Sequence, residues 1–151
     1  MSFKVVAGDL LLADDFAICH QVNCRNVMNS GLAKAIADRW PIVKERYHEL
    51  CFEVQNRLEL LGTVQLVPVY YNCSKYVVNI FGQIDYGRHG VYTDYRALEK
   101  AFKEVNHIFA GKSVGFPHKF GCGLGGGNWE IVRQMLVDYL PDCDVTVYVN
   151  V

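Results

Sequence analysis

The sequence contains no long apolar run, no basic leader and no excess of charge of either sign. Hydrophobic residues make up 51% of the chain, yet no stretch approaches the roughly 20 apolar residues that span a bilayer. The N-terminal residues also lack the basic segment that precedes the apolar core of an export signal. We therefore predict a cytoplasmic protein that does not associate with membranes.

Fifteen basic and sixteen acidic residues leave a net charge of -1. A chain so balanced has no long-range field for holding a polyanion, so we expect no nucleic-acid partner and only local anion binding. The 151 residues include no linker, internal repeat or low-complexity tail. We expect residues 1–151 to form a single monomeric domain with one binding site.

The cysteines lack the spacing of a metal site or of a disulfide framework. Cys19 and Cys24 lie on either side of His20, but no second pair of ligands follows at a zinc-site distance. The six cysteines are scattered through apolar segments, as is typical of buried thiols. We expect neither a metal nor a cofactor.

Short β-rich runs alternate with segments of helical periodicity, a pattern that predicts a layered α/β domain. The hairpin formed by the third and fourth predicted strands turns at Asn72, Cys73 and Ser74. The strands are predicted over residues 3–6, 16–22 (central in the sheet), 64–71, 76–84, 113–116 and 145–149. The helices are predicted over residues 31–39, 41–52, 93–109 and 131–139.

The segment GCGLGGGNW, residues 121–129, lies between a predicted strand and a predicted helix, and five of its nine residues are glycine. Glycines leave room for several backbone N–H groups to approach one anion beside a helix N-terminus, as in a phosphate-binding loop. The segment lacks the lysine of a P-loop and does not follow the first strand, which disfavours an NTPase or a Rossmann dehydrogenase. The structural alternative is a glycine-rich turn in which Asn128 caps the helix.

Residues 20–36, HQVNCRNVMNSGLAKAI, run from the central strand through a polar loop into a second helix start. Asparagine amides suit ribose hydroxyls, and the backbone amides near Ser30 and Gly31 suit phosphate. Asparagines also serve simply to cap helices and to form turns. Two helix starts that face one cleft at the carboxyl ends of strands together suit a pyrophosphate.

Five ordered motifs resemble the macrodomain (Appr-1''-p processing) family, whose members bind ADP-ribose. They are GDLL at residues 8–11, CHQVNC at 19–24, VMNSGLAKAI at 27–36, NIFGQIDYGRHG at 79–90 and GFPHKFGCGLGGGNWEIV at 115–132. The chain is most similar to the bacterial and phage branch related to the yeast ADP-ribose 1''-phosphate phosphatase and the terminal ADP-ribose protein glycohydrolase. The resemblance implies a three-layer α/β/α fold around a central mixed sheet of about six strands.

The resemblance also implies which residues contact the ligand. Asp9 is similar to the acid that accepts the adenine amino group, although a surface carboxylate is the alternative. The resemblance also implies that Asn150 and Val151, which follow the last predicted strand, contact the adenine. The other residues implied in ligand binding are Leu10, Gln21, Asn23, Met28, Asn29, Ser30, Gly31, Pro117, Gly121, Cys122, Gly123, Leu124, Gly125, Gly126 and Gly127.

The chain departs from its resembled family at the positions that carry catalysis. Common hydrolytic members place an aspartate after a triple glycine, where this chain has Ala33. The terminal glycohydrolase uses a lysine in a segment that here reads FGQ, residues 81–83, and an aspartate where Gly125 stands. The remaining catalytic candidates are His20, which could orient water or protonate a leaving group, and Asp85, which could be the partner base. A buried structural histidine and a turn carboxylate are the alternatives.

These observations favour a hydrolase that removes a group from the distal ribose of ADP-ribose. The group is the phosphate of ADP-ribose 1''-phosphate, or an acyl or aminoacyl group of an ADP-ribosylated protein. A module that only reads ADP-ribose or ADP-ribosylated protein is the alternative, since the family nucleophile and acid are missing. Nucleic-acid binding is disfavoured by the net charge and by the lack of a basic aromatic patch.

Overall fold

The computed structural model describes residues 1–70 and 75–150, and in these ranges the chain forms six strands and four α-helices. The strands are β1 (Phe3–Ala7), β2 (Ala17–Asn23), β3 (Val64–Pro68), β4 (Tyr76–Gln83), β5 (Ser113–Pro117) and β6 (Asp144–Val149). The helices are α1 (Gly31–Arg39), α2 (Pro41–Glu53), α3 (Tyr95–Ile108) and α4 (Trp129–Tyr139). The predicted hairpin turn at Asn72, Cys73 and Ser74 and the predicted contact of Val151 lie outside the described residues. Among the described residues, no helix is both long enough and apolar enough to cross a membrane.

The strands form one mixed sheet in the order β1-β6-β5-β2-β4-β3. Only β3 runs against its neighbour, β4, while the other neighbours are parallel. The predictions of a mixed six-stranded sheet, of a central β2 and of antiparallel pairing between the third and fourth strands are confirmed. Because five strands point the same way, their carboxyl ends meet at one edge of the sheet.

The helices begin where the sequence offers caps. The Asp94 side chain accepts a hydrogen bond from Ala97 N at 3.0 Å to start α3, and Asn128 accepts one from Glu130 N at 2.9 Å to start α4. Ser30 precedes α1 but makes no side-chain cap. Two short 3-10 segments, Leu10–Leu12 and Arg57–Leu60, were not predicted, because so few residues carry no periodic signal.

Helices cover both faces of the sheet, which confirms three α/β/α layers. Helices α3 and α4 lie on one face, where the Phe102 ring meets Phe116 and Phe120 edge-on at centroid distances of 5.7 and 5.6 Å. Helices α1 and α2 cover the other face, whose apolar residues form two separate clusters. One cluster surrounds Ile18 and the other surrounds Phe81.

A crevice opens between β2 and β5. The helix that follows β2 lies on one face of the sheet and the helix that follows β5 lies on the other, an arrangement that places ligands at the carboxyl ends of the two strands. The ladder between these strands covers only two residue pairs and ends at Ile18 and Gly115. On its other side, β2 stays paired with β4 as far as Asn23 and Gln83. The crevice is therefore a split in the sheet itself.

The cysteines within the described residues are free thiols. Cys19, Cys24, Cys51 and Cys143 are buried, as predicted, whereas Cys122 is only partly buried. Cys73 lies outside the described residues.

We expect Phe102→Ala to destabilise the domain strongly. Phe102 is fully buried among Phe116 and Phe120, so truncation leaves a cavity that costs about 3–5 kcal/mol of unfolding free energy. Phe52→Ala is the matched control, because 76% of that residue is exposed. Urea unfolding followed by circular dichroism measures both changes, and equal stabilities of the two variants would contradict this description of the core.

Candidate functional site

The crevice between β2 and β5 holds a cleft of about 630 Å³. Its walls are the loop after β2, the loop after β4 and the turn that leads from β5 into the glycine segment, residues 121–127. The predicted residues that line it are His20, Gln21, Asn23, Met28, Asn29, Ser30, Gly31, Pro117, Gly121, Gly123, Leu124 and Gly125. The structure adds the lining residues Val22, Val27, Leu32, Ala33, Gln83, Tyr86, Gly87, Arg88, His118, Lys119 and Phe120.

Several predicted residues do not line this cleft. Leu10 is 4% exposed and belongs to the core beside Ile18, and Cys122, Gly126 and Gly127 are not among the lining residues. Asp9 and Asn150 follow β1 and β6, which a hydrogen bond from Gly8 N to Val149 O (2.9 Å) holds side by side. The Asp9 carboxylate accepts a hydrogen bond from Leu11 N at 2.9 Å. Its contact with adenine stays a prediction.

Asn23 holds the loop after β2 in place. Its amide nitrogen donates to Val27 O at 2.9 Å, and its amide oxygen accepts hydrogen bonds from Arg25 N at 2.9 Å and from the Tyr47 hydroxyl at 2.8 Å. Both polar atoms of this side chain are therefore engaged within the protein. The loop-shaping alternative for Asn23 accounts for these contacts without a ligand.

The glycine segment is folded on itself and on the residues before α3. Gly125 O accepts hydrogen bonds from the amides of Tyr92 (2.7 Å) and Thr93 (3.0 Å). Further bonds run from Gly127 N to Gly121 O and from Gly126 N to Gly123 O. Within the described part of the chain, the amides of Gly123, Leu124 and Gly125 donate to no protein atom. Such a set of free amides beside a helix start is suited to an anion.

The glycines of this segment serve two different purposes. Gly126 has a φ of 72°, and a Cβ atom there would lie 2.2 Å from Gly90 O. A Cβ at Gly125 would lie 2.6 Å from Thr93 Oγ1. Glycine at these two positions is thus required by contacts within the protein. At Gly123 a Cβ would meet no described atom within 4 Å, so this residue borders open space in the cleft.

Gln21 connects strand β2 to the glycine segment through hydrogen bonds. Its amide nitrogen donates to Gln83 Oε1 at 2.6 Å and to Thr93 Oγ1 at 2.9 Å, and the Thr93 hydroxyl in turn donates to Gly121 O at 2.6 Å. The Oε1 atom of Gln21 is buried without a hydrogen-bond partner among the described residues. A buried acceptor without a partner is rare, so this atom is a candidate contact for a donor group of a ligand.

His20 is 1% exposed and lines the same cleft. Its Nε2 atom lies 2.5 Å from Asn79 Oδ1, and its Nδ1 atom has no partner among the described residues. Burial lowers the pKa of His20 to about 4, and the Asn79 contact only partly opposes that shift. At neutral pH the imidazole is therefore uncharged. Of the two predicted roles, orienting water agrees with this form, whereas protonating a leaving group does not.

Asp85 lies outside the lining of the cleft. Its carboxylate forms an ion pair with Arg25 at 3.5 Å between side chains that are about half exposed, and it accepts a hydrogen bond from Tyr86 N at 2.8 Å. The structure thus does not bring Asp85 and His20 together in one site. The turn-carboxylate alternative describes this residue better than a partner base.

The cleft is electropositive although the chain is slightly acidic. Arg88 and Lys119 line it, and none of the described residues in its lining is aspartate or glutamate. The sequence did not single out these two cations, because they belong to no periodic or spaced pattern. Lys119 has a φ of 60°, which is uncommon outside glycine and marks the tight turn after β5. Local charge, rather than net charge, therefore favours an anion here.

The chain thus forms a three-layer α/β/α domain with free loop amides beside a split in its sheet. The Macro domain family model matches residues 19–136. The chain belongs to the macrodomain family.

Individual relatives fall within the same family. A 17.5 kDa protein of Enterobacteria phage T4 is 27% identical over 97% of this chain and 96% of its own length. The DNA ADP-ribosyl glycohydrolase of Mycobacterium tuberculosis is 30% identical over 94% of this chain, which spans only 40% of that protein. The solved macrodomain of Mycobacterium tuberculosis DarG has a TM-score of 0.78 and 27% identity, with 97% of this chain and 96% of that chain covered.

We expect burial of neutral His20 to make stability depend on pH. Its pKa falls from 6.5 to about 4 on folding, so the unfolded chain binds more protons in this interval and stability is lost as pH falls below about 6.5. Between pH 7.5 and pH 5 the free energy of unfolding of the parent should fall by about 2 kcal/mol more than that of the His20→Gln variant. Urea unfolding at the two pH values measures this difference, and parallel losses would show that His20 is not buried in its neutral form.

Proposed function

We propose that the chain binds ADP-ribose in the cleft and hydrolyses the bond between the distal ribose and an attached group, releasing ADP-ribose from a modified macromolecule. The observation that carries the proposal is the distribution of donors and acceptors in the cleft. Free amides lie in the glycine segment, whereas unpaired acceptors lie on β2. A ligand that combines a diphosphate with a sugar satisfies both sets.

The donor side of the cleft suits the diphosphate. The amides of Gly123, Leu124 and Gly125 are free to donate, and the start of α1 borders the opposite wall. Arg88 and Lys119 add positive charge, and no carboxylate lines the cleft to repel phosphate oxygens.

The acceptor side suits ribose hydroxyls. Gln21 Oε1 and His20 Nδ1 are both buried and both lack a partner among the described residues. A hydroxyl group supplies the donor that each of these atoms lacks. Asp9 and Asn150 lie farther along the same edge of the sheet, where a carboxylate oxygen of Asp9 can accept the adenine amino group.

Hydrolysis requires a water molecule at the distal C1'' carbon. The water oxygen forms a bond to C1'' and loses a proton, while the bond from C1'' to the attached group breaks and its electron pair leaves with that group. The leaving group then takes a proton from solvent. The resembled glycohydrolase has a lysine in the segment that reads FGQ here, residues 81–83, and an aspartate where Gly125 stands, so we infer that positioning and stabilisation of charge supply most of the rate.

Among the candidate substrates, we favour ADP-ribose linked to DNA. The similar mycobacterial protein is a DNA ADP-ribosyl glycohydrolase, and the cleft is positive although the net charge of the chain is not. The expectation of no nucleic-acid partner rested on the net charge and on the lack of a basic aromatic patch in the sequence, whereas Arg88 and Lys119 come together at the cleft only in the folded chain. ADP-ribosylated protein and ADP-ribose 1''-phosphate are the competing substrates.

A reader of ADP-ribose without turnover is the second candidate function. The observation that favours it is that none of the described residues lining the cleft is a carboxylate, so the cleft offers no acidic side chain to act as a base. Binding would then be the whole activity of this domain.

We expect ADP-ribose to bind with micromolar affinity, about -8 kcal/mol, and AMP to bind at least about 100-fold more weakly, because AMP lacks the second phosphate and the distal ribose.

Gly123→Val should abolish binding without unfolding the domain, since its side chain would enter only the cleft. Gly123→Ala should show a smaller loss. Calorimetry measures the affinities, with thermal unfolding as the control, and equal affinities for ADP-ribose and AMP would contradict the proposed site.

We expect release of ADP-ribose from a modified single-stranded DNA oligonucleotide to be faster than from glutamate-linked or serine-linked ADP-ribosyl protein. Release of phosphate from ADP-ribose 1''-phosphate should also be slower.

His20→Gln should lower kcat by about 100-fold with little change in ADP-ribose affinity. Mass spectrometry follows all products. Tight ADP-ribose binding with no turnover of any substrate would instead establish the reader function.

A further inference from the structure

A row of polar side chains crosses the sheet face that α1 and α2 cover. It consists of His20 on β2, Asn79 on β4 and Gln65 on β3, which lie directly opposite one another in neighbouring strands. The row lies between the two apolar clusters of this face. His20 and Asn79 are almost completely buried, at 1% and 0% exposure. Polar groups in such a place destabilise the fold unless each is hydrogen-bonded, so their arrangement is informative.

The hydrogen bonds along this row can run in only one direction from donor to acceptor. Gln65 Nε2 donates to the backbone carbonyl of Arg46 on α2 at 2.8 Å, and a carbonyl can only accept. The opposite end of the same amide, Oε1, therefore faces Asn79, whose Nδ2 donates to it at 3.0 Å. This bond in turn leaves Asn79 Oδ1 facing His20. Each amide orientation follows from the one before it.

The direction of the row determines where the His20 proton lies. Because Asn79 presents an acceptor to Nε2, that nitrogen carries the hydrogen and donates it. In the neutral imidazole, Nδ1 then holds a free lone pair. Nδ1 has no partner among the described residues, and His20 lines the cleft.

We propose that Asn79 and Gln65 are positioning residues that keep His20 in the Nε2–H tautomer, so that Nδ1 accepts a hydrogen bond from a hydroxyl of the bound ligand. The identity of that ligand as ADP-ribose rests on the proposed function. The tautomer itself does not, because it follows from contacts within the protein. Neither positioning residue lines the cleft, so each acts only through His20.

Nuclear magnetic resonance of the protein labelled with 15N-histidine tests the tautomer directly. In the parent, with His20 assigned by comparison with His20→Gln, Nε2 should appear as a protonated nitrogen and Nδ1 as an unprotonated one from pH 6 to 8. Gln65→Leu frees the Asn79 amide to rotate, so a fraction of His20 should change to the Nδ1–H tautomer. Asn79→Asp should convert it to the doubly protonated form in this range, because a carboxylate stabilises the cation.

Gln134→Leu is the matched control for Gln65→Leu. Gln134 lies on α4, and among the described residues its side chain bonds to Asp138 alone, one turn later, so its loss should leave the His20 resonances unchanged. Gln65 is only partly buried, so Gln65→Leu keeps the test available if Asn79→Asp does not fold. A parent protein with its proton on Nδ1, or a Gln65→Leu variant with the parent tautomer, would overturn the proposal.

Addition of ADP-ribose tests the contact with the ligand. The Nδ1 resonance of the parent should shift as that atom accepts a hydrogen bond, and the Gln65→Leu variant should show a smaller shift. Any turnover should fall by about 10- to 100-fold in kcat with little change in KM, the range typical of partners that orient a histidine. In uniformly 15N-labelled protein, ligand-induced shifts of the Gly123 amide with an unchanged Nδ1 would refute the contact. Absence of all ligand shifts would instead refute the proposed function. The role of Asn79 and Gln65 as positioning residues would still be tested by the His20 tautomer in the free protein.

Discussion

The early end of the ladder between β2 and β5 is the constraint on which the site depends. Two residue pairs join these strands, and beyond Ile18 and Gly115 they separate, although β2 stays paired with β4 on its other side. The polar side chains of β2 that would otherwise be enclosed by a continuous sheet therefore border a cleft. Because the helices after β2 and β5 lie on opposite faces, their starts and the preceding loops form its two walls.

The glycine segment is held in its shape before any ligand arrives. Gly125 and Gly126 are close to Thr93 Oγ1 and Gly90 O, and the Gln21 amide ties Thr93 to the strand below. A loop fixed by such contacts presents its free amides without a further loss of conformational freedom when an anion binds. Gly126 thus serves the shape of the segment, Gly123 borders open space in the cleft, and Gly125 combines a close internal contact with a free amide.

Much of the architecture could be predicted from local patterns, and the site only in part. Alternating apolar runs located all six strands, and the glycine segment and the loop after β2 were recognised as the walls of one site. The Gln21–Thr93 contact was not predicted, because it joins residues 72 positions apart whose types show no pattern. Arg88 and Lys119 were not predicted for the same reason. Asp85 was named because the lysine and aspartate of the resembled family are missing, and in the structure its carboxylate pairs with Arg25.

The buried row of His20, Asn79 and Gln65 also bears on how the chain selects one alignment of its strands. Apolar strands can slide past one another at little cost when every position is interchangeable. Here a slip of one residue would turn Asn79 toward the face where Val78 and Ile80 now pack, away from its present partners His20 and Gln65. The polar row thus favours one strand register and makes misaligned sheets unfavourable while the protein folds.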